Sequence, residues 1–173
     1  MKILVTGNLG YVGGVVVKHL KSKINKCYIA GFDTGYFSHC LTTISRSPDT
    51  FCNQQYYGDI RHISSEFINQ FDAIVLLSAI SNDPMGAMFE KVTEEINYKS
   101  CIELIDKIKD KSSKAVVFAS SCSMYGMGGS KAKKESDNLN PLTAYARSKV
   151  AVEKALEKQK DSGAKITSLR FST

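Results

Sequence analysis

The apolar positions of this chain gather into short runs separated by longer stretches of mixed character. Residues 3–5 (Ile-Leu-Val), 27–32 (CYIAGF), 73–77 (AIVLL), 115–119 (AVVFA) and 165–171 (KITSLRF) are the strand candidates, and residues 54–57 (QQYY) are a shorter one. The clearest runs hold adjoining rather than alternating apolar residues. That is the pattern of a strand covered on both faces, as in a parallel sheet. The stretches between them carry helical spacing. Val12, Val15, Val16 and Leu20 fall on one face of a helix over residues 11–20. Residues 62–69 predict a short helix. Asp83 as cap and Pro84 at the first helical position predict a long one running to about Lys109. Asn140-Pro141 predicts the opening of another, running to about Ser162 with Gly163 as its stop. Residues 34–50 are polar and aperiodic and predict a loop with a short helix; residues 128–138 are a loop rich in glycine and lysine. Strands alternating with helices predict an α/β fold, a doubly wound parallel sheet of at least six strands, in one domain over residues 1–173.

Composition narrows the function classes. Hydrophobic residues make up 43% of the chain, so a packed core is expected rather than disorder. The longest apolar run is too short to span a bilayer, and the N-terminus lacks a signal pattern, so a cytoplasmic protein without a membrane partner is expected. Cys27, Cys40, Cys52, Cys101 and Cys122 are odd in number and contain no CxxC pair, which speaks against a disulfide framework or a zinc site. The three histidines do not cluster with acidic residues, and no metal is expected. The net charge of +6 is spread over helix ends and a loop. Lysines near helix C-termini complement the helix dipole, so a nucleic-acid partner is not indicated; an anionic small substrate is.

The chemistry begins at the first strand. Gly7, Gly10 and Gly13 follow it at three-residue spacing. The first allows a tight turn, the second lets backbone N–H groups approach a phosphate, and the third lets the next helix pack closely. The helix N-terminus beside that turn suits a pyrophosphate. Asp33 ends the second strand 20 residues beyond Gly13, where a carboxylate accepts both hydroxyls of an adenosine ribose and repels a 2′-phosphate. No Arg or Lys follows until Arg46, so NAD is preferred over NADP. Small residues at 78–81 follow the fourth strand, where a cofactor can approach the backbone.

Tyr145 and Lys149 stand at i and i+4 of one helix and share a face. An ammonium beside a phenol favours the phenolate, which makes Tyr145 a candidate general acid/base. Ser121, at the carboxyl end of the preceding strand, can supply a hydroxyl to the same reacting oxygen. All three are expected at the sheet edge that carries the glycine turn.

These residues together resemble the extended short-chain dehydrogenase/reductase family, specifically its NAD-dependent nucleotide-sugar epimerases and dehydratases. The resemblance spans the chain: Thr6-Gly7-x-x-Gly10-x-x-Gly13, Asp33, Gly58-Asp59-Ile60-Arg61, Leu77-Ser78-Ala79, Asn97, Ser120-Ser121-x-x-x-Tyr125-Gly126, Pro141-x-x-x-Tyr145-x-x-x-Lys149 and Leu169-Arg170-Phe171. It implies a Rossmann-type sheet. It also implies cofactor contacts from Gly7, Gly10, Tyr11, Val12 and Gly13 at the pyrophosphate and from Asp33 at the adenosine ribose. Asp59 and Ile60 meet the adenine, Leu77, Ser78 and Ala79 the ribose and diphosphate, and Tyr145 and Lys149 the nicotinamide ribose. The implied catalytic set is Ser121, Tyr145 and Lys149, with Asn97 in support.

The implied activity is NAD-dependent epimerisation of a nucleotide-sugar, UDP-glucose 4-epimerase-like, through a transient keto-sugar. The family's dehydratases carry acidic residues after the strand-five Ser/Thr. Cys122 and Ser123 stand there instead, which disfavours dehydration. Family members continue past the sixth strand into a smaller substrate-binding domain, so this chain is expected to lack that domain. The resemblance also implies a homodimer through a helix-pair face formed by residues 83–109 and 141–162. Two other readings stay open: an NAD(P)-dependent ketone or keto-sugar reductase of the same family, and a non-catalytic NAD-binding module.

Overall fold

The computed structural model describes residues 1–40, 46–81, 83–127, 131–159, 163 and 165–172. Six strands form one parallel sheet: β1 (Lys2–Thr6), β2 (Tyr28–Asp33), β3 (Gln54–Tyr57), β4 (Ala73–Leu76), β5 (Ala115–Ser121) and β6 (Lys165–Phe171), in the order β3-β2-β1-β4-β5-β6. Successive side chains of a strand point to opposite faces. Ile3 and Val5 of β1 therefore join Val17 and Ile29 in a core beneath the first helix, α1 (Tyr11–Lys23). Leu4 joins Ile74, Val116 and Phe118 in the larger core on the other face. That core is closed by α5 (Ser100–Asp106) and α6 (Ala144–Glu157), through Leu104, Ile105 and Val152.

The strand order reverses between β1 and β4. The crossover after β1 leads to β2 on one side, while β4 pairs with the opposite edge of β1. The loops leaving these two strands diverge and open a crevice at the carboxyl edge, where an open α/β sheet takes its ligand.

The helices depart from expectation in three places. On α1 the buried residues are Gly13, Gly14 and Val17, while Val12 and Val15 are exposed. The cause is Gly13: a Cβ there would collide with the carbonyl of Gly7, so the helix lies down on its glycine face. The long helix expected from 83 to 109 is broken into α3 (Asp83–Met88), α4 (Glu90–Glu94), a π-helical turn (Glu95–Lys99) and α5. Phe89, with φ −122° and ψ 50°, separates the first two pieces. The π turn inserts one residue into the ladder and turns Asn97 inward. Finally, α6 starts after Pro141, at Ala144. Thr143 caps it, its hydroxyl accepting the Ala146 N–H at 3.1 Å. It ends at Glu157, well before Gly163.

The expected helix over 62–69 is a 3-10 turn (Ile60–His62) followed by α2 (Ser65–Ile68), which Ser64 caps through the Phe67 N–H. In the stretch 34–50 two 3-10 turns form, Ser38–Cys40 and Pro48–Phe51, and residues 41–45 lie outside the described residues. Residues 128–130 of the glycine- and lysine-rich loop and residues 160–162 do so as well.

Candidate active site

The glycine turn bends sharply off β1. Gly7 takes φ +75° and donates its N–H to Phe32 O at 2.8 Å. A Cβ at Gly7 would stand 2.7 Å from the Ser78 nitrogen, so the turn and the segment leaving β4 pack backbone against backbone. Leu77 N–H donates to Thr6 O across the same seam. Gly10 is the cap of α1 and gives its first N–H groups no side-chain hydrogen bond, and no acidic residue sits in the first turn. A helix end with open donors and no competing carboxylate attracts an anion. Tyr11 and Val12, whose N–H groups belong to that end, are exposed.

Asp33 closes the turn from the β2 side. Its Oδ2 accepts the Leu9 N–H at 3.1 Å and its Oδ1 accepts the Gly35 N–H at 2.8 Å. Each oxygen keeps a lone pair for a ribose hydroxyl, and both are held in place before a ligand arrives. Asp59, at the exit of β3, caps the turn that carries buried Ile60. Its carboxylate accepts Arg61 Nη2 at 2.6 Å, and this bond holds the Asp59 carboxyl below its usual range. Arg61 brings a cation to the exit of β3. Its guanidinium is engaged by Asp59 and stands 3.5 Å from Glu95, so it offers little to a 2′-phosphate.

Asn97 is fully buried in the π turn. Its Oδ1 accepts the Ile80 N–H at 2.8 Å and its Nδ2 donates to Ile80 O at 2.9 Å. The amide is thus engaged by the backbone just beyond Leu77, Ser78 and Ala79. This geometry ties the Asn97 side chain to that segment.

Ser121 is the last residue of β5, and its Oγ accepts the Ser123 N–H at 3.1 Å. That bond uses a lone pair and leaves the O–H free to donate. The buried hydroxyls of Ser120 and Ser123, on either side of it, have no hydrogen-bond partner among the described residues.

Tyr145 and Lys149 occupy the first turns of α6. Lys149 is 3% exposed, and its Nζ donates to Ala119 O at 2.7 Å. The same nitrogen lies 4.7 Å from the Phe118 ring centre and 5.3 Å from that of Tyr145. Burial pushes the ammonium down to about 8, with the Cys101 thiol opposing the shift. The strand-five exit, Tyr145 and Lys149 therefore meet at one place. The carbonyl of Ala119, two residues before Ser121, is the tie.

A second tie steadies this corner. Arg170 of β6 forms an ion pair with Glu153 of α6 at 2.6 Å and donates to Tyr125 Oη at 2.6 Å and Glu135 O at 3.0 Å. Tyr125 Oη in turn donates to Lys134 O. Glu153 had no signal in the sequence, because its partner is a strand away. Gly126 (φ +71°) is also needed: a Cβ there would collide with Asn140 O. The Tyr-Gly pair after the fifth strand was its only local sign.

The model of the NAD dependent epimerase/dehydratase family matches residues 3–173. UDP-glucose 4-epimerase of Lactobacillus helveticus is 28% identical over 176 residues, covering 99% of this chain and 51% of that protein. UDP-glucose 4-epimerase of Lacticaseibacillus casei is 30% identical over 160 residues, covering 90% and 46%. Among solved structures, UDP-glucuronic acid 4-epimerase from Bacillus cereus in complex with NAD superposes with a TM-score of 0.83 at 23% identity, covering all of this chain and 57% of that one. The chain spans about half the length of the curated relatives it matches.

Proposed function

The chain belongs to the NAD dependent epimerase/dehydratase family, and from that membership we propose that it is the cofactor-holding and catalytic part of a UDP-sugar 4-epimerase-like enzyme. The observation that supports the reading is that Lys149 Nζ, 5.3 Å from the Tyr145 ring centre, is bonded to Ala119 O, two residues before Ser121 at the end of β5. The turn fits a dinucleotide: the open helix end takes the diphosphate, Asp33 the adenosine ribose, and Asp59 and Ile60 the adenine. Leu77, Ser78 and Ala79 line the side toward the second ribose.

NAD held there supplies a hydride acceptor that is restored within each turnover. Tyr145, as phenolate, removes the proton from the sugar hydroxyl as that carbon is oxidised, and returns it when the carbon is reduced on its other face. Lys149 keeps positive charge against the Tyr145 ring and favours the phenolate. Ser121, whose Oγ is held by the Ser123 N–H, donates its O–H to the reacting oxygen. Asn97 holds the Ile80 backbone, and with it the cofactor-facing segment, in one conformation. Cys122 and Ser123 offer no carboxylate next to Ser121, which favours epimerisation over dehydration.

Met88, Phe89 and Val92 are exposed on and between α3 and α4, beside α6, to which Glu90 is tied by an ion pair with Arg147. This apolar strip supports a homodimer through the helix-pair face.

The test replaces Tyr145 with Phe. NAD binding should persist while interconversion of UDP-sugars by the enzyme falls at least a hundredfold, the usual contribution of a positioned acid/base. Turnover near the unaltered rate would sink the assignment. Reduction of ketones on added NADPH, with no epimerisation, would favour the reductase instead.

A further inference from the structure

Beneath the glycine turn lies a pair of amides with no part in the reaction above. Asn8, the residue after Gly7, is fully buried. Its Nδ2 donates to Gln55 Oε1 at 2.7 Å, and Gln55 Nε2 donates back to Asn8 Oδ1 at 3.3 Å. The two head groups close a reciprocal ring in which each supplies one donor and one acceptor. Their remaining donors are engaged too: Gln55 Nε2 reaches Tyr56 O at 2.9 Å, and Asn8 Nδ2 lies 3.8 Å from Cys52 Sγ.

The ring crosses a strand. Asn8 follows β1 and Gln55 belongs to β3, with β2 between them. The crossing point is Gly31, whose register partners are Val5 and Gln55. A Cβ on Gly31 would collide with both amide heads. Gly31 is therefore the empty place over which the two side chains meet, and the three residues form one device.

We propose that the Asn8–Gln55 amide pair, seated over Gly31, is a positioning device for the dinucleotide, fixing the glycine turn to β3. This rests on the reading that the turn holds the diphosphate. A turn built from Gly7 and Gly10 has many backbone conformations, and only those that aim their N–H groups together suit a phosphate. Asp33 restrains the turn from one side through the Leu9 N–H. The amide ring restrains the neighbouring residue from below. The strand it ties to leads directly to Asp59 and Ile60 at the adenine end. The ring thus sets the distance between the two ends of the cofactor's adenosine diphosphate half, and affinity gained this way comes from preorganisation rather than contact.

Calorimetric titration of the chain with NAD, well below each variant's melting temperature, tests this. Asn8→Ala and Gln55→Ala should each weaken NAD binding about tenfold, the effect of one lost buried hydrogen-bonded partner. The double variant should be no weaker than either single one, because the ring acts as a unit. Gln55→Glu, which keeps the acceptor for Asn8 and loses the donor, should bind between Gln55→Ala and the unaltered chain. Gly31→Ala, which touches no ligand, should reproduce the loss. A lower melting temperature with unchanged NAD affinity in these variants would reduce the pair to a fold element and overturn the proposal. Failure of the unaltered chain to bind NAD would overturn the reading of the turn itself, and the role of the pair with it.

Discussion

Asn97 and Ile80 close a two-hydrogen-bond ring, the side-chain amide of one bonding both backbone groups of the other at 2.8 and 2.9 Å. Asn97 is buried on a π turn, and Ile80 lies just past the end of β4. A helix thereby dictates the path of a loop that faces the cofactor crevice.

Asn97→Leu should expose the cost of this arrangement. Two backbone groups of a part-buried loop lose their partner, and each unsatisfied group costs about 1–3 kcal/mol. The expected loss of stability is about 2–4 kcal/mol, read from denaturant midpoints with the slope unchanged. Asn97→Asp should be pH-dependent. The ionised carboxylate cannot donate to Ile80 O, whereas the protonated acid can, so this variant should approach the unaltered stability as pH falls.

Lys149→Met removes a buried cation whose protonated form is disfavoured by the fold. The folded pKa of about 8 lies below the ordinary lysine value, so between the two the unfolded chain binds more protons. Stability contributed by this residue therefore rises with pH across that window and is lowest below it. The Met variant should be at least as stable as the unaltered chain at pH 7, and its advantage should shrink as pH rises from 8 to 10. Thermal melts across that range, paired with an assay showing lost turnover, would check it. A stability difference independent of pH would show that the lysine is not held in the disfavoured state.

Gly126→Ala should be poorly tolerated. Its positive φ alone costs a non-glycine residue about 1 kcal/mol or more, and the added methyl meets Asn140 O. The turn after Ser121 and the approach to α6 must then separate. The expected outcome is a loss of about 2 kcal/mol or more in denaturant melts and a drop in turnover larger than that of surface substitutions nearby.

The strands were the most legible part of the chain. Four of the six, β3, β4, β5 and β6, begin at the first residue of the stretch expected for them, and β1 and β2 begin within one residue of theirs; β1, β4 and β5 stand out because a parallel strand covered on both faces cannot hide its apolar composition. Gly7, Asp33, Tyr145 and Lys149 were also legible, since their spacing along the chain is part of their chemistry. The helices were less so. The stretch from Asp83 to Asp106 reads as one helix in composition, yet the backbone of Phe89 separates α3 from α4, and the π turn that follows sets Asn97 against Ile80, a partner outside the segment. Val12 and Val15 are exposed because the close contact of Gly13 with Gly7 decides which face of α1 goes down, a contact the helical spacing does not carry.

The sequence by itself determined a parallel α/β sheet, a glycine turn with an acidic partner at Asp33, and the pairing of Tyr145 with Lys149. Each follows from composition or from spacing within one element, which are local properties of the chain. Tertiary structure alone decided that Lys149 is anchored on Ala119, that the Asn97 amide bonds the Ile80 backbone, and that Asn8 and Gln55 meet over Gly31. These partners are 17 to 47 residues apart in the chain, and only the crossing of strands and helices brings their polar atoms within hydrogen-bond reach.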